Sequence, residues 1–433
     1  VINYPIILSG ERRKVKKTSW PTTGTATPGR RWFASSLGFF LAASLLGCLM
    51  RFSWIVELPG FSYKNLLHAH SHLALLGWAF MLVSGGLLFL LLPVAARSSG
   101  RYRWVFSLSV VAGIGMGFGF VYQGYGVISI GFCAVHLAAA YLFGFQYLKD
   151  LKTTDDTSYR RLARWAVYWL LTSTLGLLAV GPVSAMLGKL HPLYYASIQF
   201  FLHFQFNGWL TFGMLALLFR WLSSEDKPVK LPSLVFYGLQ ASLVLTYALS
   251  VSWSTPLSVV FYLNSAGVII QLIVFALIWR QIAPALRTAA KNSRWVTVLL
   301  WAGLGSLAAK IIVQSAVAVP AMAAISYTVH NFVIGFIHLT MIGSISLVVI
   351  ALLLQAKLFP SSKVAHTGYL IFLLAFVTTE ILLFGQGCLL WAGWGYSPLY
   401  YELIFGFSLL FPVAIGTILI AFWRLRHVTA VST

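Results

Sequence analysis

Acidic residues are scarce in this sequence. Nine Asp and Glu stand against 30 Lys and Arg among 433 residues, and charged residues of either sign make up 9% of the chain. A water-soluble domain carries roughly a quarter charged residues, so ordinary soluble composition is excluded. Cysteine is equally sparse. Cys48, Cys133 and Cys388 lie in or beside apolar runs, and none forms a CxxC or CxxCH pattern, which excludes a zinc ribbon, covalent haem attachment and an obvious disulfide framework. The segment up to Arg31 reads ERRKVKK followed by a Thr/Pro/Gly stretch and has no apolar core before a small-residue cleavage site, so it is expected to be a solvated basic tail, not a signal peptide. The chain opens on Val1 in place of a methionine, as expected where an upstream portion is missing. No loop is long enough to hold a soluble domain. The expected organisation is a tail over 1–32 and one membrane domain over 33–433.

Long apolar runs dominate the rest. Hydrophobic residues make up 59% of the chain, and the mean hydropathy is +0.84. Runs of bilayer-spanning length fall near 33–55, 66–93, 103–122, 126–147, 162–186, 194–221, 231–252, 257–280, 295–318, 326–355, 367–391 and 401–423. The expected fold is an all-α polytopic bundle of about twelve spans whose solvent is the lipid bilayer. The net charge of +21 is spread through short connections and not gathered on one soluble face, so no nucleic-acid partner is expected. Basic residues concentrate on one side: the tail, Arg97/Arg101/Arg103, Lys149/Lys152/Arg160/Arg161, Lys227/Lys230, Arg280/Arg287/Lys291, Lys357/Lys363 and Arg424/Arg426. By the positive-inside rule that side is cytoplasmic, with both termini on it.

Eight of the ten histidines fall in or at the mouth of an expected span. Ionisable side chains inside a membrane are costly and mark functional sites by default. In HAHSHLALLGW, His68 and His72 are four apart and share a helical face, while His70 points to the other side, so one helix can serve two cofactors. Span ten carries His330 near its mouth and His338 deeper among apolar residues; the plainer role for His330 is interfacial. FLHFQFNGW on span six places His203, Gln205 and Asn207 in an apolar helix, with His203 and Asn207 on one face. His191 precedes Pro192 at a helix start and reads as a surface histidine. Isolated His136 on span four reads first as an interhelical hydrogen-bonding group. Lys310 on span nine and Glu380 on span eleven are intramembrane charges, either paired or snorkelling, or functional: Lys310 beside a haem propionate, Glu380 in proton movement.

Twelve spans with histidines at one depth of spans two, six and ten resemble the catalytic subunit of the haem–copper oxidase and nitric oxide reductase superfamily. HSHLALLG is similar to that family's helix-ten HGHLAFFG motif, although here it lies on span two. His203-Phe-Gln-Phe-Asn207-Gly is similar to the nitric oxide reductase pattern, with Asn207 where the acid would stand. A second resemblance is to smaller haem-containing membrane proteins of the nitric-oxide response, which share an HAH-type run. The departure is at helix seven, where PSLVFYGLQASLVLTYALSVSW lacks the family's histidine pair.

The resemblance implies one or two b haems held by His68, His70 or His72 together with His338 or His330, and copper or non-haem iron at His203 with His136 or His191. It also implies His203, Gln205 and Asn207 facing bound NO or O₂, a quinol or cytochrome electron donor, and a bacterial inner membrane with further subunits or a second copy as partners. The expected function is a haem-dependent oxidoreductase reducing a small gas. The alternatives are a haem electron-transfer or NO-binding protein without turnover and a secondary transporter, against which stand few intramembrane acids and no Gly/Pro-broken helix pair.

Overall fold

The computed structural model describes residues 26–151, 157–223, 228–289 and 293–430. The expected tail up to residue 25 and the loop lysines Lys152, Lys227 and Lys291 lie outside the described residues. Among the described residues every regular element is helical.

The described residues form twelve long helices in order: α1 (Ala26–Phe52), α2 (Tyr63–Leu91), α3 (Gly100–Gln123), α4 (Val127–Asp150), α5 (Ser158–Leu187), α6 (Pro192–His203 continuing through Thr211–Leu222), α7 (Ser233–Ser252), α8 (Ser258–Ala289), α9 (Arg294–Ala316), α10 (His330–Gln355), α11 (Lys363–Trp391) and α12 (Tyr400–Arg424). Eleven of them are long and apolar enough to cross a membrane. The other is α6, whose length suffices but whose His203, Gln205 and Asn207 dilute its hydropathy. The chain is therefore an all-α polytopic membrane bundle.

The ends depart from expectation in three places. Helix α1 begins at Ala26, so Arg30 and Arg31 are helical and not part of a tail; Pro28 fits a first turn, where its missing N–H costs no bond. Helix α8 runs on to Ala289, since polar Arg280 and Gln281 end the apolar run without ending the helix. Expected span ten is broken by extended Val329, which separates a short helix, Pro320–Thr328, from α10.

Three helices form the centre. In their most apolar stretches α2 is 94% buried and α10 is 83% buried, against half or less in the other nine helices of that class. The second half of α6 is likewise covered from Thr211 to Phe219. These three pack on one another through their C-terminal halves. Trp78 on α2 donates its indole N–H to Ser346 Oγ on α10 at 3.1 Å. A side chain at Gly213 of α6 would come within 2.5 Å of Val83 on α2, so that contact needs glycine.

The same local device occurs in all three. Each α-helix passes into a π-helical segment at the residue after a histidine: Leu73–Ala79 after His72, Phe204–Leu210 after His203, and Leu339–Ser346 after His338. Hydroxyls follow the wider turn, with Thr211 donating to Phe206 O at 2.8 Å and Ser346 to Met341 O at 2.7 Å, five residues back in each case. A glycine stands five residues after each histidine. A Cβ on Gly77 would lie 2.9 Å from Phe39, on Gly208 2.7 Å from Trp169, and on Gly343 2.5 Å from Phe376. Each glycine admits an aromatic ring from an outer helix beside the π-turn. Such π-turns cost regular hydrogen bonding and are concentrated at functional sites.

Gly343→Leu is expected to lower stability by about 1–3 kcal/mol through overpacking, read as a lower melting temperature in detergent. Gly416→Ala on α12, where nothing lies within 4 Å of the added methyl, should be neutral or mildly stabilising. Equal melting temperatures for the two variants would contradict the packing described.

Candidate functional site

The N-terminal turns of α2 carry three histidines to two different neighbourhoods, as their spacing requires. His70 faces α1, where its Nδ1–H donates to Ala43 O at 2.7 Å. Its ring lies against Gly47, where a Cβ would sit 3.0 Å from Cε1. That backbone bond fixes the ring and its tautomer and leaves Nε2 as the nitrogen with a lone pair.

His338 on α10 is within electrostatic range of both His70 and Arg51. Neither of its ring nitrogens has a hydrogen bond to protein, and buried Nδ1 stands 4.0 Å from Glu380 Oε1. Both Glu380 carboxylate oxygens are buried without a hydrogen-bond partner. Arg51, near the end of α1, donates to Ser408 Oγ and reaches Ile404 O of α12 at 3.5 Å. Its charge lies within range of Glu380 and Tyr400. Sequence reasoning missed Arg51 because it stands close to a span end, where a basic residue reads as interfacial; the signal was its place one turn inside an apolar run.

On the opposite face, His68 and His72 rings are 6.4 Å apart. His72 donates from Nδ1 to His68 O at 2.8 Å, and the Tyr125 hydroxyl lies 3.4 Å from its Nε2. His68 Nε2 is buried without a partner. His136 on α4 is within electrostatic range of His72. It packs edge-on against Phe80 at 4.9 Å and leaves Nδ1 buried and unbonded. The interhelical hydrogen bond expected for it is not made.

The α6 group is tied up separately. His203 Nε2–H donates to Leu243 O on α7 at 2.8 Å, so the helix that lacks a histidine pair supplies a backbone carbonyl instead. Gln205 donates to Ser173 Oγ on α5 at 2.9 Å. Asn207 Oδ1 accepts from Lys310 Nζ at 2.9 Å. Gln205 and Asn207 thus point to different helices and do not converge with His203 on one point. Lys310 pairs with Asn207 and not with Glu380.

The remaining candidates stand apart. His191 caps α6, its Nδ1 accepting from Leu193 N at 3.2 Å with Pro192 in the first turn, as its sequence context implied. His330 is exposed at the first residue of α10. Among the described residues no three His, Cys, Asp or Glu side chains gather closely enough to hold a metal ion, so His203, His136 and His191 do not form one cluster.

The Arg51 and Glu380 charges share a buried region, and removing one leaves the other without its counter-charge. In a double-mutant cycle, Arg51→Met should lower the melting temperature more than Arg51→Met with Glu380→Leu. Strictly additive shifts would show that the two groups are uncoupled.

No family model matches this chain, and no curated protein matches it.

Proposed function

We propose that the chain is a b-type haem protein of the membrane, working in electron transfer, in which His70 of α2 and His338 of α10 would hold the haem. The observation that carries the reading is the His70 imidazole, oriented by Ala43 O with Nε2 unclaimed, within electrostatic range of a His338 imidazole that makes no protein hydrogen bond. A haem ligand has this arrangement: one nitrogen hydrogen-bonded outside, the other presented to iron. Haem with two histidine ligands supplies a one-electron couple with no open coordination position.

The protein's own residues account for the rest. Gly47 keeps the His70 ring in place, since any side chain there would press on Cε1. Glu380 is the acceptor available to His338 Nδ1–H, and closing their 4.0 Å separation would raise the basicity of the ligand. Arg51, not Lys310, is the cation on this side of the bundle and the partner suited to a propionate.

A second reading is favoured by the orphaned nitrogens of His68 and His136 around His72. There a second haem with one protein ligand would keep a position open for NO or O₂ and make the chain a reductase fed by a quinol or cytochrome.

The test is a pyridine haemochrome assay and a reduced-minus-oxidised spectrum of the purified full chain. The expected result is b haem with a six-coordinate low-spin spectrum, lost in His70→Ala and in His338→Ala and kept in His203→Ala. A haem-free wild type, or unchanged spectra in the first two variants, would overturn the proposal. Carbon monoxide binding that disappears in His72→Ala would support the reductase; no carbon monoxide shift leaves electron transfer alone.

A further inference from the structure

A cleft of about 200 Å³ lies between α6, α8 and α9. Its back wall includes Leu215 and Leu218 of the central helix α6, and its sides include Leu272 and Ala276 of α8 and Ala308 and Ile312 of α9. Every side chain lining it is apolar. The four named from α8 and α9 are exposed, so the cleft opens on the lipid-facing surface. From Leu272 to Ile282 it follows α8 for ten residues, about 15 Å at 1.5 Å per residue. That is half of a hydrocarbon core about 30 Å thick, the depth of one leaflet.

Trp279 and Trp301 mark one end of the cleft, their rings meeting at 6.0 Å and 66° across α8 and α9. The two are 44% and 42% exposed, as suits indoles at a membrane–water interface. Past them the surface is basic. Arg280 follows Trp279, Arg287 stands two turns further along α8, and Arg294 stands two turns before Trp301 on α9. At 3.6 residues per turn, Arg280 and Arg287 fall within about 40° of Ala276, and Arg294 within about 40° of Ala308. All three therefore stand on the helix faces that wall the cleft. They are exposed, and none has a hydrogen-bond, ion-pair or ring partner among the described residues. These helices hold no acid to neutralise them, since the sequence has none between Asp226 and Glu380.

An apolar slot one leaflet deep, with three uncompensated guanidinium groups beyond its interfacial end, suits hydrocarbon joined to negative charge. A zwitterionic lipid fills the slot but brings its own cation to the mouth. A free phosphate uses the arginines and leaves the slot unused. We propose that the site takes an anionic phospholipid, with one acyl chain in the α6–α8–α9 cleft and its phosphate among Arg280, Arg287 and Arg294. Guanidinium groups hold phosphate oxygens bidentately, and basic residues flanking a span attract anionic lipid. The chain would lie directly on Leu215 and Leu218, so the lipid would reach the central helix α6 from the outside of the bundle. This inference stands independently of the haem reading.

The test is photolabelling of the full chain in detergent by a phosphatidylglycerol that carries a diazirine on one acyl chain, with peptide mapping by mass spectrometry. Label is expected on the cleft walls of α8 and α9, and unlabelled phosphatidylglycerol should compete about tenfold or more better than phosphatidylcholine. The triple variant Arg280→Gln, Arg287→Gln, Arg294→Gln alters exposed side chains only, and it should fold and lose that preference. Ala308→Phe, which fills the cleft and leaves the arginines in place, should lose the label itself. Phosphatidylglycerol should also raise the melting temperature of the wild type and not of the triple variant. Label outside the cleft, equal competition by phosphatidylcholine, displacement by inorganic phosphate at the same concentration, or a preference kept in the triple variant would overturn the proposal. The wild-type competition decides the question even where a variant fails to fold.

Discussion

Everything in this bundle depends on the packing of α2, α6 and α10 along their C-terminal halves. Lipid gives no hydrophobic advantage to one helix contact over another, so association rests on close van der Waals fit and on the few polar bonds available. The fit is visible in Gly213 against Val83, and the polar bond in Trp78 to Ser346. With that half fixed, the histidine-bearing half of each helix is held against outer helices. There the π-turn shifts the side-chain register and glycine lets an aromatic ring approach.

The same architecture separates two kinds of polarity. Around His70 and His338 the charges come from helix ends and outer helices, Arg51 from α1 and Glu380 from α11. Around Lys310 the polar groups are neutral amides and hydroxyls from α6, α7 and α8. Phe336 and His338, both on α10, connect the two regions. In a chain with nine acidic residues, burying Glu380 beside an unbonded imidazole is costly, and that cost is the physical reason for assigning the region a function.

Much of the fold was legible because hydropathy dominates in a bilayer. All twelve expected runs are helices, and the opposite faces of His70 and His72 followed from helical geometry. The π-turns were not foreseen, since a wider turn leaves no hydropathy mark. A His-to-Gly spacing of five residues, repeated on three helices, was the available signal. Arg51 was hidden by its nearness to a helix end, and the partner of Lys310 could not be chosen from sequence because Asn207 and Glu380 are both distant along the chain. The surroundings of the expected metal ligands were not legible either, since sequence does not say that His203 bonds to α7, that His136 packs on α2 and that His191 caps its own helix.

On the proposed reading, two imidazoles, from α2 and α10, would hold one iron porphyrin. Low-temperature electron paramagnetic resonance with near-infrared magnetic circular dichroism of the oxidised full chain tests it most directly. The expected result is a low-spin ferric signal with the charge-transfer band of bis-imidazole ligation. A purely high-spin signal, or a band marking any other axial pair, would contradict it.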